Sequence, residues 1–213
     1  MKSIFTIALT FALLNTSFLI AQDTLSVNTE DTSKFNLYLT TGIGYGKVEN
    51  EEQPNYDLNA NIGEIILNYN FAKDIGVGLG IGYVQLSGNG FNQNGNFYHE
   101  RDLLKIPLVL TTKSKLSDKV NFYAHIGGFG QVILNEEYRY LNTTEEDVYK
   151  GWSFGIQGYL GFTYKMSKMM DIGINISTQS DLGKSETESA ASLKDEQKVT
   201  TLNTIGLAFM FRL

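Results

Sequence analysis

Apolar and polar side chains alternate one by one along this chain, in stretches of ten to fifteen residues separated by turns and loops. A period of two puts one set of side chains on each face of an extended strand. The clearest stretch is the last, Val199 to Leu213: Ile205, Leu207, Phe209, Phe211 and Leu213 share one face, and Thr204, Gly206, Ala208, Met210 and Arg212 the other. Seven more precede it: Lys34 to Gly46, Leu58 to Phe71, Ile75 to Leu86, Leu103 to Thr112, Val120 to Leu134, Trp152 to Tyr164 and Ile172 to Leu182. In the third, Ile75, Val77, Leu79, Ile81 and Tyr83 alternate with Gly76, Gly78, Gly80 and Gly82. Small side chains on one face suit the crowded inside of a narrow barrel.

The connections sort themselves as strictly as the strands. Those after the second, fourth and sixth stretches are short: Ala72 to Asp74, Lys113 to Lys119 and Lys165 to Asp171. Those after the first, third, fifth and seventh are long: Lys47 to Asp57, Ser87 to Asp102, Asn135 to Gly151 and Gly183 to Lys198. The short ones carry Lys73, Lys113, Lys115, Lys119, Lys165 and Lys168, and the long ones carry acids such as Glu51, Glu52, Glu136, Glu145, Glu146 and Glu188. Periplasmic turns and long extracellular loops alternate in this way in outer-membrane barrels. Aromatic rings also gather near strand ends, with Phe35, Tyr69, Phe71 and Tyr164 toward the turns and Tyr45, Tyr83 and Trp152 toward the loops. Two aromatic girdles are a barrel's mark at the membrane–water interface. A soluble barrel of the lipocalin kind would bury the apolar face and leave Gly, Asn and Thr to water, which fits the Gly-rich third stretch poorly. The expected fold is therefore all-β, an eight-stranded antiparallel up-and-down transmembrane β-barrel over 34–213.

Composition agrees. Gly is frequent at 21, Pro is nearly absent at 2, and cysteine is absent from the 213 residues. Disulfides and a lipid-modified cysteine are thereby excluded. A net charge of −6 argues against nucleic acid, which needs clustered Lys and Arg. Met1-Lys2-Ser3 followed by an apolar run to Ile20 and Ala21-Gln22 has the layout of a secretory signal peptide, 1–21, with a flexible segment at 22–33. Leu19 is larger than usual for its place before the cut, and an N-terminal membrane anchor is the alternative. The expected destination is the cell outer membrane, with membrane lipids as surroundings and a monomer as the working unit.

At the fourth and fifth stretches the residues themselves become familiar. Leu103-Leu104-Lys105-Ile106-Pro107-Leu108-Val109-Leu110, then a Lys-rich turn, then Phe122-Tyr123-Ala124-His125-Ile126-Gly127-Gly128-Phe129-Gly130, resembles the PorT-like outer-membrane β-barrel domain of Bacteroidetes-type bacteria. The resemblance implies an eight-stranded integral protein of Gram-negative outer membranes and brings no catalytic residues with it. It departs at the end, where Leu213 stands in place of the family's terminal Phe, and Phe211 is the candidate to carry the assembly signal.

Alternation places Glu64, Lys105, His125, Gln157 and Asn175 inside near mid-height, with Arg212 toward the turns. Buried charges need partners, so Glu64 and Lys105 are expected in one network with Gln157 and His125. A proton relay is one use of such a network; plugging of the lumen is the commoner one, since barrel interiors are polar. His99, in the stretch Gly95 to Asp102, is the one loop imidazole that a barrel-embedded lipid enzyme would use as base. A loop His beside acids is ordinarily just solvated. The acid runs Glu49 to Glu52 and Glu145 to Asp147 offer oxygen ligands of the kind Ca²⁺ takes, and again read first as solvated loop. Phe91, Phe97, Tyr98, Tyr138 and Tyr140 would either meet a partner or fold back on the rim. The Gly-x-Gly runs have period two and no following helix, so they are not nucleotide sites. No catalytic, cofactor-binding or metal residues are therefore assigned. The expected role is structural or adhesive, through acidic loops and without an open pore. The rivals are an accessory of an outer-membrane secretion or assembly machine, with the basic turns as docking face for an envelope protein, and a lipid-modifying enzyme.

Overall fold

The computed structural model describes residues 33–187 and 195–213. The expected signal peptide and nearly all of the 22–33 segment lie outside them. Ser33, assigned to the flexible segment, belongs to the barrel unit: its hydroxyl lies 2.7 Å from the carbonyl of Phe35 and 2.5 Å from that of Leu213. Leu213 N–H in turn donates to the Phe35 carbonyl at 3.0 Å, which ties the two ends of the wall together.

The strands are β1 (Phe35–Asn50), β2 (Tyr56–Ala72), β3 (Ile75–Asn92), β4 (Gly95–Lys115), β5 (Val120–Arg139), β6 (Thr144–Glu146), β7 (Trp152–Lys165), β8 (Met170–Asp181), β9 (Ser185–Glu186) and β10 (Glu196–Arg212). Eight of them form the wall, in the order β1-β2-β3-β4-β5-β7-β8-β10, and β10 closes on β1. Every pairing in the wall is antiparallel, and Ile43 faces Ile205 across the closing seam. Closure leaves no unpaired edge within the wall, the condition for backbone in lipid. The short β6 and β9 are loop segments that fold back onto β5 and β10. No helix among the described residues is long and apolar enough to cross a membrane.

Several strands overrun their expected ends on the loop side. The expected loop from Ser87 to Asp102 is a continued hairpin: β3 runs to Asn92, β4 starts at Gly95, and Gly95 takes a φ of 111° that the tight turn requires. β5 likewise continues to Arg139. Two bulges lie toward the loop end of the wall. Asp102 pairs Asn135 while Leu103 pairs Ile133, so Leu134 is an extra residue in β5. Lys47 pairs Thr201 while Val48 pairs Val199, so Thr200 is an extra residue in β10. A bulge reverses which side chains point in. Inward positions therefore run Gln131, Ile133, then Glu136 and Tyr138 on β5, and Thr204, Leu202, then Val199 and Gln197 on β10. The unbroken alternation read from Val199 to Leu213 is corrected by the second bulge.

Outside, rows of exposed apolar residues such as Ile65, Leu67, Leu79, Leu108, Ile156 and Ile174 form a belt. Phe71 and Tyr164 sit at its turn side, and Tyr45, Tyr83 and Trp152 at its loop side. Above them the outward residues turn polar, as with Lys47, Gln85, Ser87 and Glu100. The inside is filled in layers. Gly82 makes room at mid-height: a Cβ there would come within 2.9 Å of Glu64 Cγ and 3.3 Å of Lys105 Cε. Above that pair lies an apolar plug including Val48, Leu58, Val84, Leu86, Leu103 and Leu202, all buried. Truncating one such side chain to Ala removes packing worth about 2–5 kcal/mol.

Candidate functional site

The loop end of the lumen holds a cluster built from strand extensions. β4 contributes His99 and Arg101, β2 Tyr56, β5 Glu136 and Tyr138, and β10 Gln197. His99 Nε2 lies 3.0 Å from Glu136 Oε1, and Nδ1 lies 3.0 Å from the Tyr56 hydroxyl. Arg101 Nε donates to Glu136 Oε1 at 2.7 Å, and its Nη2 bonds both Glu136 and Gln197. Glu136 Oε2 accepts the backbone N–H of Tyr149 at 2.7 Å. Gln197 Nε2 donates to Asn50 Oδ1 at 2.7 Å and to the Tyr56 hydroxyl at 2.9 Å. The His99 ring stacks on Tyr138 with centroids 4.1 Å apart.

Electrostatics fix the protonation pattern. Burial pushes His99 down to about 4, and the Arg101 charge adds to that despite the bond to Glu136. His99 is thus neutral near pH 7. A neutral ring facing a carboxylate carries its proton on Nε2, so Nδ1 accepts from the Tyr56 hydroxyl. Tyr56 oxygen then accepts from Tyr138, 3.1 Å away. Burial alone would raise the Glu136 carboxyl, but the Arg101 guanidinium and the bonds from His99 and Tyr149 hold it below the ordinary range. Burial pushes the Tyr56 hydroxyl up to about 12, and that of Tyr138 well up too, so both stay protonated donors. Every ring nitrogen of His99 and both carboxylate oxygens of Glu136 are engaged within the protein, and their side chains are fully buried. Such an arrangement locks strands and a loop together. It leaves no lone pair of His99 facing a nucleophile or solvent.

Above this floor the loops converge on a small cleft with about 30 Å³ of free space, room for about two water molecules. Tyr56, Phe97, Tyr138, Tyr140 and Tyr149 line it together with Asn92, Glu145 and Asp195. Asn92 Nδ2 donates to the Tyr140 hydroxyl at 2.9 Å. Phe97 and Tyr138 meet edge to face at 5.1 Å.

His99, expected in a solvated loop, is therefore a buried strand residue. Of the loop aromatics, Phe97 and Tyr138 fold inward and are buried, whereas Phe91 is exposed. Glu64 and Lys105 form the expected ion pair, but the third member is Gln179, whose Oε1 accepts from Lys105 Nζ at 2.6 Å. Gln157 and His125 do not join: the ring nitrogens of His125 and the amide of Gln157 are buried without a protein hydrogen-bond partner among the described residues. His125 packs edge-on against Tyr38 at 4.6 Å instead. Asn175 donates to the Leu207 carbonyl at 3.1 Å. Arg212, toward the turns as expected, grips Asp171 with 2.7 Å to each oxygen. Three acids of the long loops have Lys partners, Glu49 with Lys47, Glu51 with Lys184 and Asp147 with Lys150. Among the described residues no group of three or more His, Cys, Asp or Glu is placed to hold a metal ion.

A family model described as an outer membrane protein beta-barrel domain matches residues 20–183. Among solved structures, Neisserial surface protein A is similar at a TM-score of 0.52 and 10% identity, covering 83% of this chain and 97% of that one. The outer membrane protein OprG from Pseudomonas aeruginosa is similar at 0.52 and 14% identity, covering 85% and 98%. A major outer membrane protein from Thermus thermophilus gives 0.50 at 10% identity, covering 83% and 99%. At these identities the likeness is one of fold. No curated protein matches the chain.

Proposed function

The chain belongs to the outer membrane protein β-barrel domain family and is an outer-membrane barrel; from that premise we propose that it is a pore-free surface protein whose loop end is an interaction platform, structural or adhesive in role. The observation that carries this reading is a lumen filled at three levels, the uppermost of which braces the loop end through the His99, Arg101 and Glu136 network. An interaction surface gains from bracing, because ordering loops in advance lowers the cost of binding. We read the network as a brace and not as catalytic machinery, since its imidazole and carboxylate are fully bonded to each other and to neighbours. In this reading lipid surrounds the belt and one chain is the working unit. The test replaces residues 140–150 with a short Gly-Ser turn. Cells displaying that variant are expected to lose surface attachment while heat-modifiable gel mobility and a negative liposome-swelling assay are unchanged. Equal attachment by the two forms, or sugar uptake by vesicles holding the intact chain, refutes the reading.

A second reading rests on the opposite end, where Lys73, Lys115, Lys119, Lys165 and Lys168 are all exposed on the turns. With the PorT-like resemblance over 103–130, that basic face supports an accessory role in secretion or assembly. Crosslinking from Lys115 or Lys168 in intact cells is expected to capture one periplasmic protein under that reading, and none under the first.

A further inference from the structure

We propose that the loop-end cleft binds a primary alkyl-ammonium group, with Asp195 as the charged contact and the aromatic walls as its surroundings. The inference rests on the reading of this end as the working surface and gives it a ligand chemistry.

Asp195 opens β10's approach to the wall and lines the cleft. Its Oδ1 accepts three backbone N–H groups, those of Glu51 at 3.1 Å, Glu52 at 3.0 Å and Glu196 at 2.8 Å. Its Oδ2 has no hydrogen-bond partner among the described residues, although Asp195 is only 7% exposed. One oxygen of this carboxylate thus ties two loops together, and the other is a buried anionic acceptor without a donor among them. A buried polar atom in that state is unfavourable, more so where charge is involved, and a ligand that supplies N–H donors recovers the loss.

The rest of the lining narrows the ligand. The floor cation Arg101 is already matched by Glu136, and the rim cation Lys184 by Glu51 at 2.8 Å and Glu196 at 2.9 Å. Glu145 adds a second carboxylate to the lining, and Tyr138, Tyr140, Tyr149 and Phe97 supply ring surface. Carboxylate plus aromatic rings is the environment that favours an organic cation. A Ca²⁺ ion would ask for six or more oxygen ligands, which these walls of rings do not offer. Free space of about 30 Å³ is enough for an ammonium head. The same chemistry is carried by a free alkyl amine and by a lysine side chain of a polypeptide.

The test is calorimetric titration of the full chain in nanodiscs. Cadaverine represents a free amine, Nα-acetyl-lysine amide a side chain, and pentane-1,5-diol the neutral isostere. Saturable one-to-one binding of at least one of the two amines, with no binding of the diol, is expected, and the tighter amine identifies the source. Asp195→Asn keeps an oxygen for the three backbone N–H groups and removes the charge, so the fold is retained and amine affinity is expected to fall tenfold or more. Glu145→Gln is expected to weaken it several-fold and stands in should the first variant misfold. Asp118→Asn, on a turn at the other end, is expected to change nothing. Absence of saturable amine binding, equal binding of the diol, or an unchanged affinity in Asp195→Asn overturns the proposal. The platform reading fails separately, through unchanged attachment on replacing 140–150.

Discussion

Two buried cations project inward from the same strand, Arg101 and Lys105, four residues apart with Leu103 between them. Lys105 pairs with Glu64, bonds Gln179 at 2.6 Å and lies 5.2 Å from the Phe129 ring centre. Around it, His125 and Gln157 keep buried polar atoms without protein partners among the described residues. Arg101 is one node of a lattice that reaches β1 through Asn50, β2 through Tyr56, β5 through Glu136 and β10 through Gln197. The difference follows from surroundings. At mid-height the wall is held by continuous strand pairing and by the lipid belt, and one ion pair with a filled interior suffices. Beyond the belt the strands stand without lipid around them, and side-chain bonds across the lumen take over the bracing.

Glu136→Leu breaks this contrast most severely. It leaves the Arg101 guanidinium buried without its carboxylate and the His99 ring and the Tyr149 N–H without their acceptor, and the loop end is expected to lose about 5 kcal/mol or more. Hydrogen exchange at Phe97, His99 and Arg101 checks it: fast exchange there with the belt strands still protected is the expected pattern. Glu136→Gln is next, at about 3–5 kcal/mol, since a guanidinium stays charged and buried without its carboxylate. Glu64→Gln is expected to cost about 2 kcal/mol, because Lys105 keeps Gln179 and the Phe129 ring. Urea midpoints in lipid that rank these two in reverse would show the lattice is not the stronger unit.

Acid sharpens the comparison further. His99 titrates at about 4 in the folded protein against 6.5 for the free side chain. Between those values the unfolded chain binds a proton that the folded one does not, so stability is lost as pH falls from 6.5 to 4, by about 3 kcal/mol in total. Loop-end protection measured at pH 7, 5.5 and 4 should decline in step, and His99→Gln should flatten the dependence. The smallest effect is expected from the double change Glu64→Met with Lys105→Met. Removing both charges together should stay within about 1 kcal/mol of the parent in heat-modifiable gel mobility, whereas Lys105→Met alone lowers the melting temperature by several degrees.

Within the belt, period-two reading of the residues placed Glu64, Lys105 and Arg212 inside correctly, because lipid outside and a narrow lumen inside force opposite chemistry onto the two faces. Beyond the belt that force is absent. Phe97, His99 and Arg101 alternate with Tyr98, Glu100 and Asp102, a pattern that is polar on both faces and so resembles loop. Glu136 and Gln197 were hidden for a second reason: each follows or precedes a one-residue bulge, and strict alternation sends it to the wrong face. Gln179 was legible in principle, being two positions past the inward Ser177 on β8. Pairing it with Lys105 needed knowledge of which strands face each other across the barrel.

The overrun of the β3–β4 hairpin also sets a height. From Tyr83 at the loop-side girdle to Asn92 at the tip the strand advances nine residues, about 30 Å along its length and about 20 Å along the barrel axis once tilted. Headgroups occupy only about 5–8 Å beyond the hydrocarbon on either side. The hairpin tip thus stands clear of the phospholipid headgroup plane like a collar, out of reach of a lipid lying in its own leaflet, and what docks at that level has to arrive from the medium.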